Sequence, residues 1–256
     1  MHVIIVAGGR AGPEDPLYAL TGVANKAFLP IAGKPMIQYV VDALAGSPEV
    51  EGFVIVGLTP EENPDLGVLV VYTPARGSLF DNVVAGFEKL WQVNPDARLA
   101  ILSTADIPLL TTDVVNWFIQ TCAETDHDIY YTIVERSVMA RRFPQAGRTF
   151  VPLRDGAYCG GDILMARTDL VHSNQALIDQ LMDARKSFWK QVRLVGLGFL
   201  IRFALRWLTV ADAERHVSKV LNVRGRAVIT PFAEMGMDVD KPHQLEIVRA
   251  ELAGER

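Results

Sequence analysis

The first apolar run of the chain and the glycines behind it constrain the fold more than any other segment. Residues 3–6 have the sequence V-I-I-V, a β-branched run too short for a buried helix and typical of a strand covered on both faces of a parallel sheet. Gly8 and Gly9 follow, and Arg10 adds a positive charge. Because glycine has no Cβ, backbone N–H groups in such a turn can approach an anion closely. The segment therefore predicts a strand that ends in a phosphate-binding loop.

Strand-like and helix-like segments alternate along the rest of the chain. Apolar runs typical of buried strands lie at 52–57, 68–72 and 98–103. They alternate with helical patterns at 36–44 and 79–91, and this alternation indicates an α/β sheet. Half of the 256 residues are hydrophobic, which is enough for one large core, and no long linker or internal repeat interrupts the sequence. We expect a single domain over residues 1–256.

The first loop lacks two common phosphate-binding motifs. Neither G-x-G-x-x-G nor G-x-x-x-x-G-K-[ST] occurs at the strand–helix junction, so the dinucleotide-binding and P-loop interpretations fail on spacing. The loop is followed instead by Lys26 in N-K-A-F-L-P and by G-K-P at 33–35, where the proline stands near the first position of the next helix. A strand, a glycine turn and a more distant lysine therefore remain as the candidate site.

These residues resemble those of the nucleotidyltransferases of the glycosyltransferase-A-like superfamily, and in particular its MobA-like NTP transferase branch. Four further segments resemble elements of that family, in the expected order: R-G-S-L-F-D-N at 76–82, S-T-A-D-I-P at 103–108, Y-C-G-G-D at 158–162 and D-V-D-K-P at 238–242. The resemblance implies an α/β three-layer sandwich around a mostly parallel mixed sheet, the Rossmann-like architecture of nucleotide-diphospho-sugar transferases. It also implies an acceptor-side region at about residues 136–226.

The resemblance implies a nucleotide site built from the first loop, the lysine and the turn before a later helix. In the family, the glycine-rich loop wraps the nucleoside triphosphate and the lysine holds its phosphates, so the predicted catalytic residues are Lys26, Arg10 and Asp106. The predicted nucleotide-binding residues are Ala7, Gly8, Gly9, Arg10, Lys26, Gly77, Ser78 and Asn82. Ser78 could also be the N-cap of the helix that follows, and the identity of the base stays open.

Two aspartates are predicted to hold a Mg²⁺ ion. Asp106 follows a central strand, at the edge where open α/β sheets bind ligands, and it matches the aspartate of the family's metal-binding D-x-P element. Asp240 matches the aspartate of the family's C-terminal element and is preferred over Asp238. Mg²⁺ prefers oxygen ligands from one or two carboxylates and from substrate phosphates. Asp240 could instead cap a last helix at about 243–253, and Gln244, where the family usually has an acid, is interpreted as a helix-start residue.

The acceptor side is predicted around a second Gly-Gly pair, which follows a hairpin turn expected at Asp155 and Gly156. This pair resembles the family's T-G-G-N element, but Cys159 and Asp162 stand where threonine and asparagine are commoner, so the acceptor stays unidentified. The predicted acceptor-binding residues are Gly160, Gly161, Asp162, Arg185 and Lys186. The last two could equally form a solvated helix face.

Together these elements predict a Mg²⁺-dependent nucleotidyltransferase. It would transfer NMP from an NTP to a phosphorylated acceptor, such as a sugar phosphate, an alcohol phosphate or a cofactor, and release pyrophosphate. This chemistry depends on positioning and charge stabilisation more than on covalent catalysis by side chains. Two alternatives stay open: a nucleotide-sugar-dependent glycosyltransferase that uses the D-V-D at 238–240, and a non-catalytic regulatory protein that binds a nucleotide or nucleotide sugar.

Composition narrows the choice of partners and location. The net charge is −5, and no basic stripe with interleaved aromatics occurs, so nucleic-acid binding is not expected. Two cysteines without metal-ligand spacing and an N-terminus without a signal-peptide pattern favour a cytoplasmic protein. Residues 192–210 are mostly apolar but contain Arg202 and Arg206, so a buried helix is favoured over a membrane span or a surface helix. A homo-oligomer is possible.

Overall fold

The computed structural model of the protein describes residues 1–58, 62, 65–173 and 196–254, and within them helices surround one large sheet. The strands are β1 (His2–Val6), β2 (Pro30–Ile31), β3 (Lys34–Pro35), β4 (Gly52–Val56), β5 (Val70–Thr73), β6 (Leu99–Thr104), β7 (Ile129–Glu135), β8 (Val151–Leu153), β9 (Gly156–Arg167) and β10 (Gly225–Thr230). The helices are α1 (Pro16–Thr21), α2 (Met36–Ala45), α3 (Leu79–Val93), α4 (Thr112–Ala123), α5 (Arg136–Arg142), α6 (Asp169–Ser173), α7 (Leu197–Ala204), α8 (Val210–Leu221) and α9 (Pro242–Leu252). Short 3-10 turns occupy Lys26–Phe28 and Ala233–Gly236.

The central sheet has the strand order β10-β7-β9-β6-β1-β4-β5, with β8 paired to β9. β1 runs parallel to β4 and β6, β4 is parallel to β5, and β7 is parallel to β10. β9 runs antiparallel to β6 and to β7 and so joins the two parallel parts. The predicted mostly parallel mixed sheet is confirmed. Residues 136–226 contribute β8 and β9 to it, and β10 begins at their end, at Gly225.

Both faces of the sheet are covered, because the first strand is apolar on both sides. Successive side chains of a strand point to opposite faces. Ile5 packs in one core with Val40 of α2 and Phe118 of α4, whereas Ile4 packs in another core with Leu90 of α3. All five are fully buried. The result is three layers, helix–sheet–helix, as the V-I-I-V run predicted.

Two helix starts are fixed by side-chain caps. Ser78 caps α3: its hydroxyl accepts from the backbone N–H of Asp81 at 3.3 Å, and the Asp81 carboxylate accepts from the N–H of Ser78 at 3.0 Å. At α9 the N-cap position is Lys241, and the Gln244 side chain accepts from the N–H of Asp240 at 2.9 Å and of Lys241 at 2.8 Å. The interpretation of Asp240 as the cap of the last helix is therefore wrong, while Gln244 does serve the helix start.

The described part of the apolar segment at 192–210, residues 196–210, is mostly exposed. Within it, α7 leaves Ile201 half exposed, at 50%, and Leu205 follows at 49%, whereas Leu208 is buried at 1%. The predicted core helix is wrong for α7, since Ile201, Phe203 and Ala204 are exposed. In the described ranges, no helix combines the length and the apolar character that a membrane crossing requires.

A hairpin of β8 and β9 begins the second half of the sheet. Leu153 pairs with Gly156, so the two turn residues are Arg154 and Asp155, one position earlier than the predicted turn. The Asp155 carboxylate accepts a hydrogen bond from the N–H of Val210 at 3.0 Å and so ties the hairpin to the start of α8. The long strand β9 then returns through the middle of the sheet.

Candidate active site

The first loop packs tightly against the end of β4 through two glycines. Gly57 has φ +96°, and a Cβ there would lie 2.1 Å from the Cα of Gly8. A Cβ on Gly8 would in turn lie 3.0 Å from that of Ala75. Around Gly9, by contrast, no atom of the described residues comes within 4 Å of the place a Cβ would take. Gly57 is therefore required by backbone packing, Gly8 lies tightly against it, and Gly9 leaves open space above the turn.

Asn25 fixes the lysine loop to the end of β1. Its side chain is buried, and its Nδ2 donates to the carbonyl oxygen of Ala7 at 2.9 Å while its Oδ1 accepts from the N–H of Ala27 at 3.0 Å. The Ala7 N–H already donates to Val56 O at 2.8 Å. Ala7 thus supports the loop through internal hydrogen bonds, and Lys26 leaves the turn next to the carboxyl end of β1. Sequence reasoning missed Asn25, whose only signal was its place before the lysine.

Lys26 brings together two aspartates that are distant in sequence. Its Nζ donates to Asp106 Oδ2 at 3.0 Å and also forms a hydrogen-bonded ion pair with Asp240. The same ammonium donates to the carbonyl oxygen of Val239 at 3.3 Å, and the Val239 N–H donates to the carbonyl oxygen of Asp106 at 2.9 Å. Three residues that the sequence predicted for one site, Lys26, Asp106 and Asp240, therefore meet at the carboxyl ends of β1 and β6. We call them the lysine–aspartate cluster.

The cluster holds a charged lysine and has spare oxygen ligands. Burial alone would lower the pKa of Lys26, but Asp106 and Asp240 outweigh it, so the pKa is raised and the ammonium stays charged. Asp106 Oδ1 is buried and has no hydrogen-bond partner among the described residues. The Asp240 side chain is 53% exposed, against 18% for Asp106. One sheltered and one accessible carboxylate suit a hydrated divalent cation such as Mg²⁺.

Arg148 forms a second ion-pair group beside this cluster. Its guanidinium pairs with Asp238, donates to the carbonyl oxygen of Gly160 at 3.1 Å and lies 3.6 Å from Asp162 Oδ2. Asp238 is therefore turned toward Arg148, whereas Asp240 is turned toward Lys26. Sequence reasoning missed Arg148, because a single arginine before a hairpin carries no pattern.

Close packing accounts for both glycines of the second Gly-Gly pair, Gly160 and Gly161. A Cβ on Gly160 would lie 2.4 Å from the hydroxyl of Tyr131, and one on Gly161 would lie 2.2 Å from the hydroxyl of Thr132. Asp162 follows in the same strand, and burial raises its pKa to about 7, with a further contribution from the Asp106 charge that Arg148 opposes. Asp162 therefore lies within electrostatic reach of the lysine–aspartate cluster. Arg185 and Lys186, the other predicted acceptor residues, lie outside the described residues.

Of the remaining predicted nucleotide residues, Gly77, Ser78 and Asn82 lie at the start of α3, and Arg10 lies in the first loop. Gly77 has φ +116°, which forms the turn before α3, and Ser78 caps that helix. Asn82 Oδ1 accepts from a backbone N–H of the same turn at 2.7 Å. Arg10 is apart from the lysine–aspartate cluster, since its exposed guanidinium pairs with Glu62. The structure thus joins Lys26 with the two aspartates but leaves Arg10 at the surface.

Ligands of open α/β sheets bind beyond the carboxyl ends of the strands, which is where the lysine–aspartate cluster lies. The chain belongs to the family of MobA-like NTP transferase domains, whose profile matches residues 3–140. The matched part includes Lys26 and Asp106, whereas Asp162 and Asp240 lie beyond it. A comparison with curated proteins finds no match.

Solved structures support the fold over the whole chain. A hypothetical transferase from Thermus thermophilus is 30% identical, with a TM-score of 0.80 over 95% of this chain and 98% of that one. A CMP:2-keto-3-deoxy-manno-octonic acid synthetase complexed with CTP is 18% identical, with a TM-score of 0.62 over 99% and 98%. A 4-diphosphocytidyl-2C-methyl-D-erythritol synthase from Anaerococcus prevotii is 10% identical, with a TM-score of 0.59 over 98% and 95%. The predicted fold class is confirmed.

Proposed function

We propose that the protein is a Mg²⁺-dependent nucleotidyltransferase that transfers NMP from an NTP to a phosphorylated acceptor and releases pyrophosphate. The observation that carries the proposal is the contact of the Lys26 ammonium with both Asp106 and Asp240, beside the glycine turn after β1. It provides a positive charge for a triphosphate and two carboxylates for a divalent cation at one point of the sheet edge.

Each group of the cluster has a distinct task. Lys26 would bind phosphate oxygens and hold the triphosphate in line with the acceptor, and the open space above Gly9 leaves room for the phosphates. Asp106 and Asp240 would hold the cation. When bound, Mg²⁺ stabilises negative charge on the transferred and leaving phosphates. Across the part of the chain that the structure describes, no group of three or more His, Cys, Asp or Glu could hold a metal, so substrate phosphates and water would complete the coordination.

The glycosyltransferase alternative requires both aspartates of the D-V-D to serve one cation. Asp238 is buried at 7% exposure and is held by Arg148, whereas Asp240 contacts Lys26. The two carboxylates therefore have separate partners, which favours nucleotidyl transfer. The regulatory alternative predicts nucleotide binding without turnover, so a turnover assay decides between it and the proposal.

The test is pyrophosphate release with Mg²⁺ from ATP, CTP, GTP and UTP, each with a panel of sugar phosphates, polyol phosphates and pterin-type cofactors. Lys26→Ala and Asp106→Ala are each expected to lower turnover by about 100-fold or more, since each removes a group that stabilises transition-state charge. Lys34→Ala and Asp113→Ala are matched controls: Lys34 pairs with Asp42, and Asp113 is exposed in the first turn of α4.

Both controls should keep the parent activity. Turnover that survives Lys26→Ala or Asp106→Ala would contradict the proposal. Binding of an NTP without turnover across the whole panel would favour the regulatory alternative instead.

A further inference from the structure

An apolar trough leads away from the candidate active site along the sheet face that α3 covers. Its volume is about 430 Å³. Thr104 and Asp162 line the end next to the lysine–aspartate cluster, and Val83, Leu164 and Ala166 line its middle. The trough thus begins at a predicted acceptor residue, Asp162, and continues between α3 and strands β6 and β9.

The trough is long as well as apolar. Asp162, Leu164 and Ala166 alternate along β9 and so present their side chains to the same face of the sheet. Four residues of an antiparallel strand extend about 13 Å, the reach of a medium-length alkyl chain. A sugar or polyol in the middle of this trough would leave its hydroxyl groups without hydrogen-bond partners, which opposes binding.

The end next to the cluster offers a polar anchor. Thr104 Oγ1 is buried and has no hydrogen-bond partner within the described ranges. Asp162 Oδ2 is also buried without a hydrogen bond, although the Arg148 guanidinium lies 3.6 Å from it. Buried polar groups are normally hydrogen-bonded, so an unsatisfied hydroxyl at the mouth of an apolar cavity favours a ligand with a polar head and an apolar tail.

From this geometry we infer that the acceptor is a phosphorylated amphiphile, with its phosphate beside Lys26 and its hydrocarbon part in the apolar trough. The inference rests on the proposed nucleotidyl transfer and specifies its acceptor. In the transfer, an oxygen of the acceptor phosphate dianion bonds to the α-phosphorus of the NTP. The bond from that phosphorus to the oxygen bridging to the β-phosphorus breaks, and pyrophosphate leaves with the electron pair. No proton is removed and nothing is oxidised.

The first test compares methyl, hexyl and decyl phosphate, each below its micelle concentration. Binding to the full chain is measured by calorimetry, and pyrophosphate release is measured with the NTP that the protein uses. Burial of each methylene raises affinity by about three- to fourfold, so decyl phosphate should exceed methyl phosphate by at least about 100-fold in both readouts even if only half of its additional methylenes are buried. Equal values for the three phosphates would overturn the inference.

A pair of variants tests the position of the tail. Leu164→Trp narrows the trough and should shift the preferred chain length downward, whereas Leu164→Ala should shift it upward. Leu69→Trp, at a position 76% exposed, is the control and should leave the preference unchanged. Opposite shifts cannot result from misfolding. If neither variant moves the preferred length, the tail does not lie in the trough and the inference fails.

The two proposals can fail separately. If polyol or methyl phosphates are converted as well as decyl phosphate, nucleotidyl transfer stands and the amphiphilic acceptor is wrong. If decyl phosphate binds tightly but is not converted by a preparation that transfers NMP to another phosphate, it is not the acceptor type and the inference is also wrong. If decyl phosphate binds and no pair of substrates releases pyrophosphate, the proposed function fails, and the acceptor assignment fails with it.

Discussion

Arg148 connects several residues around the lysine–aspartate cluster. No sequence pattern indicated it. It is mostly buried and contacts Asp238, Asp162 and the carbonyl of Gly160, so it links the strand of the second Gly-Gly pair to the segment before α9. A buried carboxylate that loses its partner is left with an uncompensated charge. We therefore assign Arg148 a structural role in holding the two sides of the site together.

Replacement of Arg148 should show this dependence. Arg148→Met is expected to lower the free energy of unfolding by about 3–5 kcal/mol, because Asp238 is left buried and unpaired. Arg154→Met, at an exposed turn position, should change it by less than about 0.5 kcal/mol. Urea denaturation measures both. The double variant Arg148→Met/Asp238→Leu should regain part of the loss, and a double variant as unstable as the sum of its parts would contradict this role.

At the scale of single residues, the sequence predicted the three members of the lysine–aspartate cluster but not the neighbouring Asn25 and Arg148. The family resemblance identified Lys26, Asp106 and Asp240, and the structure brings them together. The family match preferred Asp240 over Asp238, because Asp240 stands two residues before Pro242. The structure shows the physical difference: Arg148 pairs with Asp238, whereas Lys26 pairs with Asp240. These pairings depend on tertiary packing and leave no local sequence pattern.

At the scale of elements, the loop after β1 depends on its contact with the end of β4. Gly57→Ala places a methyl group against the backbone of Gly8 at a positive φ and should lower the free energy of unfolding by more than about 2 kcal/mol. Gly12→Ala is the matched control, since no described atom lies within 4 Å of its would-be Cβ, and it should be neutral or slightly stabilising. Thermal unfolding of the two variants provides the comparison. Equal effects would mean that the loop does not pack as described.

Helix α7 is an element whose apolar composition led to a wrong prediction of burial. Its apolar side chains predicted a core helix, yet Ile201 is half exposed, and Leu208, which is buried, lies beyond the helix. Hydrophobicity alone cannot tell which neighbours a helix will find, because many apolar side chains of folded proteins stay at the surface.

The exposure of α7 can be tested by polar substitution. Ile201→Ser should lower the free energy of unfolding by no more than about 1.5 kcal/mol, since half of that side chain is already exposed. Leu208→Ser should lower it by about 3 kcal/mol or more, because it leaves a cavity and buries a hydroxyl. Chemical denaturation of the two variants measures both changes in the free energy of unfolding. If Ile201→Ser lowered the free energy of unfolding as much as Leu208→Ser, α7 would be a core helix after all.

Across the whole molecule, one sheet joins the part that matches the family profile to the part beyond it. β9, outside residues 3–140, pairs with β6 and β7 inside them and carries Asp162 toward the lysine–aspartate cluster. Alternation of strands and helices was enough to predict the fold class. It could not predict the position of β9 in the middle of the sheet, because strand order depends on long-range pairing that leaves no local pattern.

The central claim is that NMP, with its α-phosphorus, is transferred from the NTP to the acceptor. NTP labelled at the α-phosphate or at the γ-phosphate tests this claim most directly. With the NTP and acceptor that the protein uses, label in the α-phosphate should appear in the acceptor product, and label in the γ-phosphate should appear in pyrophosphate. Lys26→Ala should abolish both products, and Lys34→Ala should preserve them. Label from the γ-phosphate in the acceptor or in inorganic phosphate would mean that a different bond is broken, and the assignment as a nucleotidyltransferase would be contradicted.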